Sequence, residues 1–378
     1  MNAKKIFLLV LIFFFLLQNL FIIKNFYLKK IDYSFRNLKK ELNFEKFVIV
    51  STGDIFLHTS NIDDAIIEEQ KYSFDYIFEE TKELLKGSDI TTCWFGGVVD
   101  TNPPFSGYPF FKSPVEILKT LKRLGFDILL RTNHVYDFGQ EGMYRTNSFI
   151  QNLSLKQIGG YSTKEESEKI LIFKKRNIKV AFLSYTYGTN GLIPKNKWEV
   201  NLIDFNKVQN DIEKSKKMAD FVVVFFHYGN EYERKESEFQ RKVAYFAASK
   251  GADIIIGSHP HVVQPLDSFI LDDGRKVYTI YSLGNFYCGQ RKKYTNSGIV
   301  LKVILERSKR TSEKTKLSKI VFYSTYIIKN SNKTIQKYKI VLSNNYLKEH
   351  PFDKDTLTEN IKNSIEDLRE LIPSQYIH

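Results

Sequence analysis

The sequence predicts an α/β domain whose sheets are covered by helices, and three observations predict it. Short continuous apolar runs rich in Val, Ile and Phe recur along the chain, and such runs read as buried strands. Helical patterns fill the intervals between them, the alternation expected of layered α/β folds. Each run also stops at Gly, Asp, Asn or His, which is where ligands collect in such folds, beyond the carboxyl ends of strands. A chain of 378 residues, 43% hydrophobic and with only 9 Pro, is too apolar to be disordered and long enough for one large domain plus attachments.

The N-terminus precedes that domain. After Lys4 and Lys5 an apolar run extends from Ile6 to Ile23, interrupted only by Gln18 and Asn19, and Lys24, Lys29 and Lys30 follow. A run of this length spans a bilayer as one helix at about 1.5 Å per residue. A cleaved signal peptide would end in a small-x-small site. The exit Phe21-Ile22-Ile23-Lys24-Asn25-Phe26 has none, and no Cys for a lipid anchor. The reading is a single uncleaved transmembrane helix in the cell membrane. The Lys on both sides mark orientation only weakly, and the soluble domain is placed on the extracytoplasmic side. Residues 24–44 are basic and mildly amphipathic, a stalk. The domain plan is anchor and stalk over 1–45, a main domain over 46–310, and strands with a helix over 311–378 that complete or flank it.

Five strands are marked by their runs and exits. Phe47-Val-Ile-Val-Ser ends in Gly53-Asp54, and Phe126-Asp-Ile-Leu-Leu in Asn133-His134. Phe221-Val-Val-Val-Phe-Phe ends in His227-Tyr228-Gly229, and Asp253-Ile-Ile-Ile in Gly257-Ser-His-Pro-His261. Val277-Tyr-Thr-Ile-Tyr-Ser ends in Leu283-Gly-Asn-Phe286. Helices are predicted over 62–86, 113–124, 139–153, 205–217 and 235–250. Beyond Ile304 the strand-like pieces Lys319-Ile-Val-Phe-Tyr-Ser and Lys339-Ile-Val-Leu precede an amphipathic helix from Asp355 to Ile372.

Composition excludes some functions. Two Cys exclude a disulfide scaffold and a zinc ribbon. Fifty-six Lys+Arg against 43 Asp+Glu give +13, yet the Lys are scattered among Glu and Asn rather than striped with aromatics, so no nucleic acid is expected. A solvated basic surface near anionic lipid or wall polymer accounts for the charge.

Five of the 7 His fall at or just past strand ends: His58, His134, His227, His259 and His261. Neutral imidazoles mixed with carboxylate and amide oxygens (Asp54, Asn133) suit Mn, Zn or Fe, as one or two ions. In an extended His259-Pro260-His261 segment, alternate side chains would share a face and point both imidazoles at one site. In Asn133-His134-Val-Tyr-Asp137 the amide oxygen can bind metal while His134 donates a proton and Asp137 fixes its tautomer. The competing reading makes Asn133 and Asp137 turn and helix-cap residues. Gly53 permits a sharp turn and Asp54 offers a hard anionic ligand, although the dipeptide also suits an ordinary turn.

From Phe47 to Glu306 the chain resembles the bacterial capsule-synthesis CapA family, linked to poly-γ-glutamate capsule and related to calcineurin-like metallophosphoesterases. The resemblance is carried by Ser51-Thr-Gly-Asp54, Ser106-Gly-Tyr-Pro109, Gly125-Phe-Asp-Ile, Thr132-Asn-His-Val-Tyr-Asp-Phe-Gly139 and Ile178–Asn190. His227-Tyr-Gly-Asn-Glu-Tyr232, Gly257-Ser-His-Pro-His-Val-Val-Gln264 and Tyr281-Ser-Leu-Gly-Asn-Phe286 complete it. It implies a metallophosphatase-like four-layer α-β-β-α sandwich with two mixed sheets and a dinuclear-type metal site. Asp54, Asn133, His227, His259 and His261 become the metal ligands, and His134, supported by Asp137, the general acid. Glu231 would shape the pocket, and His58 would lie behind the ligands.

One segment departs from the family pattern. Where the family has Asn-Leu-Glu, this chain has Trp94-Phe95-Gly96, and Thr132 replaces the first Asn of an Asn-Asn-His triplet. One metal position then survives, or His58 or Asp100 compensates, or activity is weakened. Nearby Cys93 reads as a buried apolar residue rather than a thiolate ligand. The expected function is a membrane-anchored, metal-dependent hydrolase of a phosphoester or of a γ-glutamyl or cell-wall amide, acting in envelope-polymer biosynthesis. Its expected partners are an anionic cell-envelope polymer or phosphoester substrate, the membrane and other polymer-synthesis membrane subunits. The alternative is a non-catalytic subunit of such a complex with a degenerate site.

Overall fold

The computed structural model describes residue 24, residues 43–330 and residues 336–378, so the apolar run Ile6–Ile23 lies outside the described residues. Among the described residues, no helix is long and apolar enough to cross a membrane.

Two mixed sheets form the domain. In one, Phe44–Phe56 lies at the centre, parallel to Ile90–Phe95 and antiparallel to Ser297–Ser308. Ile128–Arg131 and Lys156–Ile158 extend the sheet on one side, and Lys316–Lys329 and Tyr338–Leu342 on the other. The chain beyond residue 310 therefore continues the same sheet. In the second sheet, Ile178–Thr186, Phe221–His227, Ile254–Ser258 and Lys276–Ile280 run parallel, with Leu171–Lys175 and Leu266–Ile270 antiparallel at the edges.

Side-chain alternation distributes the core. Phe47, Ile49, Trp94 and Ile128 face Val180, Phe182, Val223 and Phe225 between the sheets. Val50, Cys93, Phe95 and Leu129 point the other way, onto Leu118, Leu121 and Ile150 of the helices Glu116–Leu124 and Gly139–Asn152. Ala181, Val222, Val224 and Ile255 meet Val208, Ile212, Val243 and Ala247 of Phe205–Met218 and Glu238–Lys250. Helices thus cover both outer faces, and the apolar-run strands are doubly buried, which is why they carry no polar alternation.

The helix predicted over 62–86 does not form as one element. Thr59–Asp64 is helical, Ile66–Glu68 and Lys71–Tyr72 pair as a small hairpin, and a 3₁₀ turn at Asp75–Thr81 leads into Lys82–Lys86. Gln70 turns the hairpin at φ +56°. The Asp64 carboxylate accepts from Tyr76 Oη (2.7 Å) and from the backbone N–H groups of Lys337 (2.7 Å) and Tyr338 (3.0 Å). These bonds to a distant strand outweigh local apolar periodicity. Elsewhere caps trim the predicted helices: Ser237 accepts from Gln240 N, so the helix predicted from 235 begins at Glu238. The strands Ile178–Thr186 and Ser297–Ser308 are not marked by runs of their own, because Lys179, Lys302 and Glu306 interrupt them.

Candidate metal centre

The parallel strands of both sheets end at one place. In the second sheet Thr186, His227 and Ser258 are register partners, and across the interface Ser258 Oγ donates to Asp54 Oδ1 at 2.8 Å. Asp54 sits near the end of the first strand, where Gly53 lets the Gly284 backbone approach. Asp54 N donates to Gly284 O (2.9 Å), and a Cβ at Gly53 would lie 1.9 Å from that oxygen.

The expected ligands meet there. Asp54 Oδ1 lies 3.7 Å from His227 Nδ1, and Oδ2 lies 3.1 Å from His261 Nδ1. Asn133 Oδ1 lies 3.1 Å from His227 Nε2, and the His259 ring centroid is 4.9 Å from that of His227. His261 Nδ1 is also 2.9 Å from Asn285 Oδ1. All these side chains are buried.

The two histidines share the pocket, but not through strand alternation. The His259-Pro260-His261 segment is not extended, because the strand stops at Ser258 and both histidines take positive φ, +105° and +60°. Left-handed backbone at non-glycine residues costs about 1–3 kcal/mol each and persists where surrounding structure enforces it. Here Ser258 O accepts from Tyr228 N (3.0 Å) and Pro260 O from Tyr232 N (2.8 Å), tying the turn to the segment after His227.

Asp137 is not a helix cap. The cap position of Gly139–Asn152 is Phe138, with no side-chain cap bond. The Asp137 carboxylate instead meets His134 Nδ1 (2.9 Å) and accepts from Phe111 N (2.7 Å) and Asn190 Nδ2 (3.1 Å). With a carboxylate on Nδ1, that nitrogen carries the proton and Nε2 is the atom left to exchange one. His134 N donates to Thr132 Oγ1 (3.2 Å), so the Thr that replaces an Asn serves the turn.

The segment Trp94-Phe95-Gly96 is absorbed by packing. Trp94 is fully buried between the sheets, edge-on to Phe225 at 5.5 Å. A Cβ at Gly96 would fall 2.1–2.4 Å from atoms of the Phe56 ring. Phe56 is ringed by His134 (5.4 Å), His261 (5.4 Å) and Phe111 (5.2 Å), with His227 at 6.3 Å. An apolar ring thus occupies the space beside Gly96. Asp100 does not replace the missing carboxylate: it pairs with Arg145 and accepts from Thr101 N (2.8 Å) and Asn102 N (3.2 Å). His58 packs edge-on against Phe111 (5.2 Å), and burial, then His261 and His134, lower its pKa to about 4. Cys93 is buried in the helix-side core, and burial raises its thiol well above the usual range.

The residues present fit a divalent cation. His227 Nδ1 and His259 Nδ1 are buried without a hydrogen-bond partner, and Asp54 Oδ2 meets only His261 Nδ1 (3.1 Å), a costly state for polar atoms in one pocket unless something else coordinates them. Burial and the neighbouring histidines hold His227 and His259 well below the usual imidazole range, so both are neutral, the form that ligates. His261 is the exception: burial opposes its charged form, but Asp54 and Asn285 outweigh it and raise the pKa. Glu231, expected only to shape the pocket, brings a carboxylate oxygen within 4.8 Å of ligand atoms of His259 and His261.

Sequence reasoning missed the site's supports. Asn285 and Ser258 lay inside quoted motifs without a role, and Phe56 gave no signal because it reads as one more strand residue. Arg131 was also missed. It is fully buried, donates to Gly97 O (3.0 Å) and Gln157 Oε1 (3.0 Å), and has its pKa lowered by burial to about 9.

Fold and site define a two-sheet α/β sandwich with a buried, histidine-rich pocket at the strand ends, competent to hold a divalent cation. The chain belongs to the family described as bacterial capsule synthesis protein PGA_cap, whose profile matches residues 48–290. It is 30% identical over 249 residues to the PGA biosynthesis protein CapA of Bacillus subtilis (strain 168), covering 64% of each chain. It is 28% identical over 266 residues to the capsule biosynthesis protein CapA of Bacillus anthracis, covering 65% of this chain and 61% of that one. The chain thus spans just under two thirds of these relatives. Among solved structures, the NAD nucleotidase (NadN) of Haemophilus influenzae superposes with a TM-score of 0.47 at 12% identity, covering 87% of this chain and 61% of that one. The 5'-nucleotidase precursor of Thermus thermophilus gives 0.41 at 12% identity, covering 74% and 54%.

Proposed function

We propose that the protein is a membrane-anchored metallohydrolase of the metallophosphoesterase kind, acting on an anionic phosphoester or amide during envelope-polymer biosynthesis. The observation that supports this best is the convergence of two unpartnered buried imidazole nitrogens, of His227 and His259, with the Asp54 carboxylate beside the oriented His134–Asp137 pair. Asp54, Asn133, His227, His259 and His261 would hold the ion, with Glu231 at the exposed side. The ion would supply Lewis-acid polarisation of a phosphoryl or carbonyl oxygen. The site would hold one ion rather than two, a reading supported by the Phe56 ring filling the space that a carboxylate at position 96 would need.

His134 delivers a proton from Nε2 to the leaving group, and Asp137 holds its ring and tautomer through Nδ1. Phe56 and Phe111 wall the ring on two sides and exclude water from it. The anchor Ile6–Ile23 would keep the domain at the outer face of the cell membrane, next to other polymer-synthesis subunits. A non-catalytic scaffold is favoured by the same apolar filling of the Gly96 side.

Turnover separates the two readings. The purified full chain is assayed against phosphomonoesters, phosphodiesters and γ-glutamyl amides between pH 5 and 9. Asp137→Asn is expected to lower kcat on the order of 100-fold with KM nearly unchanged and a displaced pH profile. A metal-loaded wild type that turns over no member of the panel would leave the scaffold reading.

A further inference from the structure

The end of the domain opposite the site carries a basic cleft of about 630 Å³. It lies where the second sheet's parallel strands begin, and Lys174, Lys179, Lys216, Lys217, Arg307 and Lys309 line it. Asp220 is the one carboxylate in the lining, and it is already engaged by Arg307 Nη1 (2.9 Å) and Lys179 N (2.8 Å). Lys216 pairs with Asp253 at 3.1 Å. Lys174, Lys179 and Lys217 form no ion pair among the described residues. With Lys216 and Arg307 each paired to a carboxylate, Lys174, Lys179 and Lys217 concentrate positive charge in this one cleft.

The position of the cleft says what it faces. Lys309 N donates to Asn43 O (2.9 Å), and Phe44 is the register partner of Ser308, so residues 1–42 join the domain at this edge. The sequence leading there adds Lys24, Lys29, Lys30, Arg36, Lys39 and Lys40 against Asp32 and Glu41. Residues 24–42 can hold the edge no farther than about 65 Å from the end of the apolar run, even fully extended. Phe44 lies at this edge and Asp54 at the site on the same strand, ten residues apart at about 3.3 Å each, or roughly 33 Å.

We infer that this cleft docks on the anionic headgroups of the bilayer that holds residues 6–23, so that the metal centre faces away from the membrane. The inference rests on reading that segment as an anchor. Each basic side chain brought within a Debye length of an anionic surface strengthens the association about fivefold, and high salt removes the effect. Docking at this edge would fix the height and direction of the site, which a loose stalk alone would not.

Lysine footprinting on the full chain tests this. The protein is reconstituted in nanodiscs of phosphatidylcholine alone, or with about a third phosphatidylglycerol, and labelled with an amine-reactive reagent read by mass spectrometry. Lys174, Lys179 and Lys217 are expected to label at least about fivefold more slowly in the anionic discs, while Lys242 on the outer helix is unchanged. Half-molar salt, or the pair Lys179→Glu and Lys217→Glu, is expected to restore the Lys174 rate. Equal rates in both lipids for a chain held in both discs would overturn the docking alone. Slowing by added polyglutamate but not by anionic lipid would overturn it in favour of a soluble polymer. A chain that associates with neither disc would remove the anchor and the docking together, and none of these outcomes bears on metal binding.

Discussion

Replacing His259 and His261 together by alanine is expected to reduce bound metal from about one ion per chain to less than a tenth of that, in protein that stays folded. The two imidazoles supply two of the five proposed ligands, and both are buried. Losing a residue that only supports a ligand costs about 10–100-fold in affinity, so losing two ligands should exceed 1000-fold. The fold should survive, because neither side chain belongs to the three large apolar clusters. The double variant is also expected to lose the thermal stabilisation that the wild type gains from excess metal, since an ion stabilises only what it binds. Elemental analysis with a melting curve checks both, and stoichiometric metal in the variant would refute the ligand assignment.

Gly53→Ala is expected to cost roughly 3 kcal/mol or more of stability, because the added methyl meets backbone rather than a movable side chain. Its Cβ would lie 1.9 Å from Gly284 O, 2.8 Å from Gly284 C and 3.3 Å from Leu283 O. Relief requires parting Asp54 from Asn285, the register pair that joins the first strand to the segment carrying a partner of His261. The variant should therefore lose metal affinity as well. Gly188→Ala is the control: nothing lies within 4 Å of its Cβ, and a change within about 0.5 kcal/mol is expected. Denaturant unfolding of both variants checks the contrast, and equal stability would mean the two backbones do not cross so closely.

The layered plan and the position of the site were legible because both leave local marks. Doubly buried strands such as Phe221–His227 read as uninterrupted apolar runs, and polar candidate site residues stand out where those runs end. What could not be read depends on distant partners. The segment 62–86 has helical spacing, but Asp64 is claimed by backbone groups of residues 337 and 338. His259 and His261 do share a site, though by left-handed turns fixed from the segment after His227 and not by strand alternation. Gly96 is visible in the sequence as a missing carboxylate. That Phe56, forty residues earlier, fills its place is a fact of packing alone.

Anomalous diffraction from crystals of the metal-loaded protein, recorded at the Mn, Fe and Zn edges, tests the central claim most directly. One peak per chain is predicted, enclosed by Asp54, Asn133, His227, His259 and His261. No peak there, or a second one on the Phe56 side of the pocket, would contradict it.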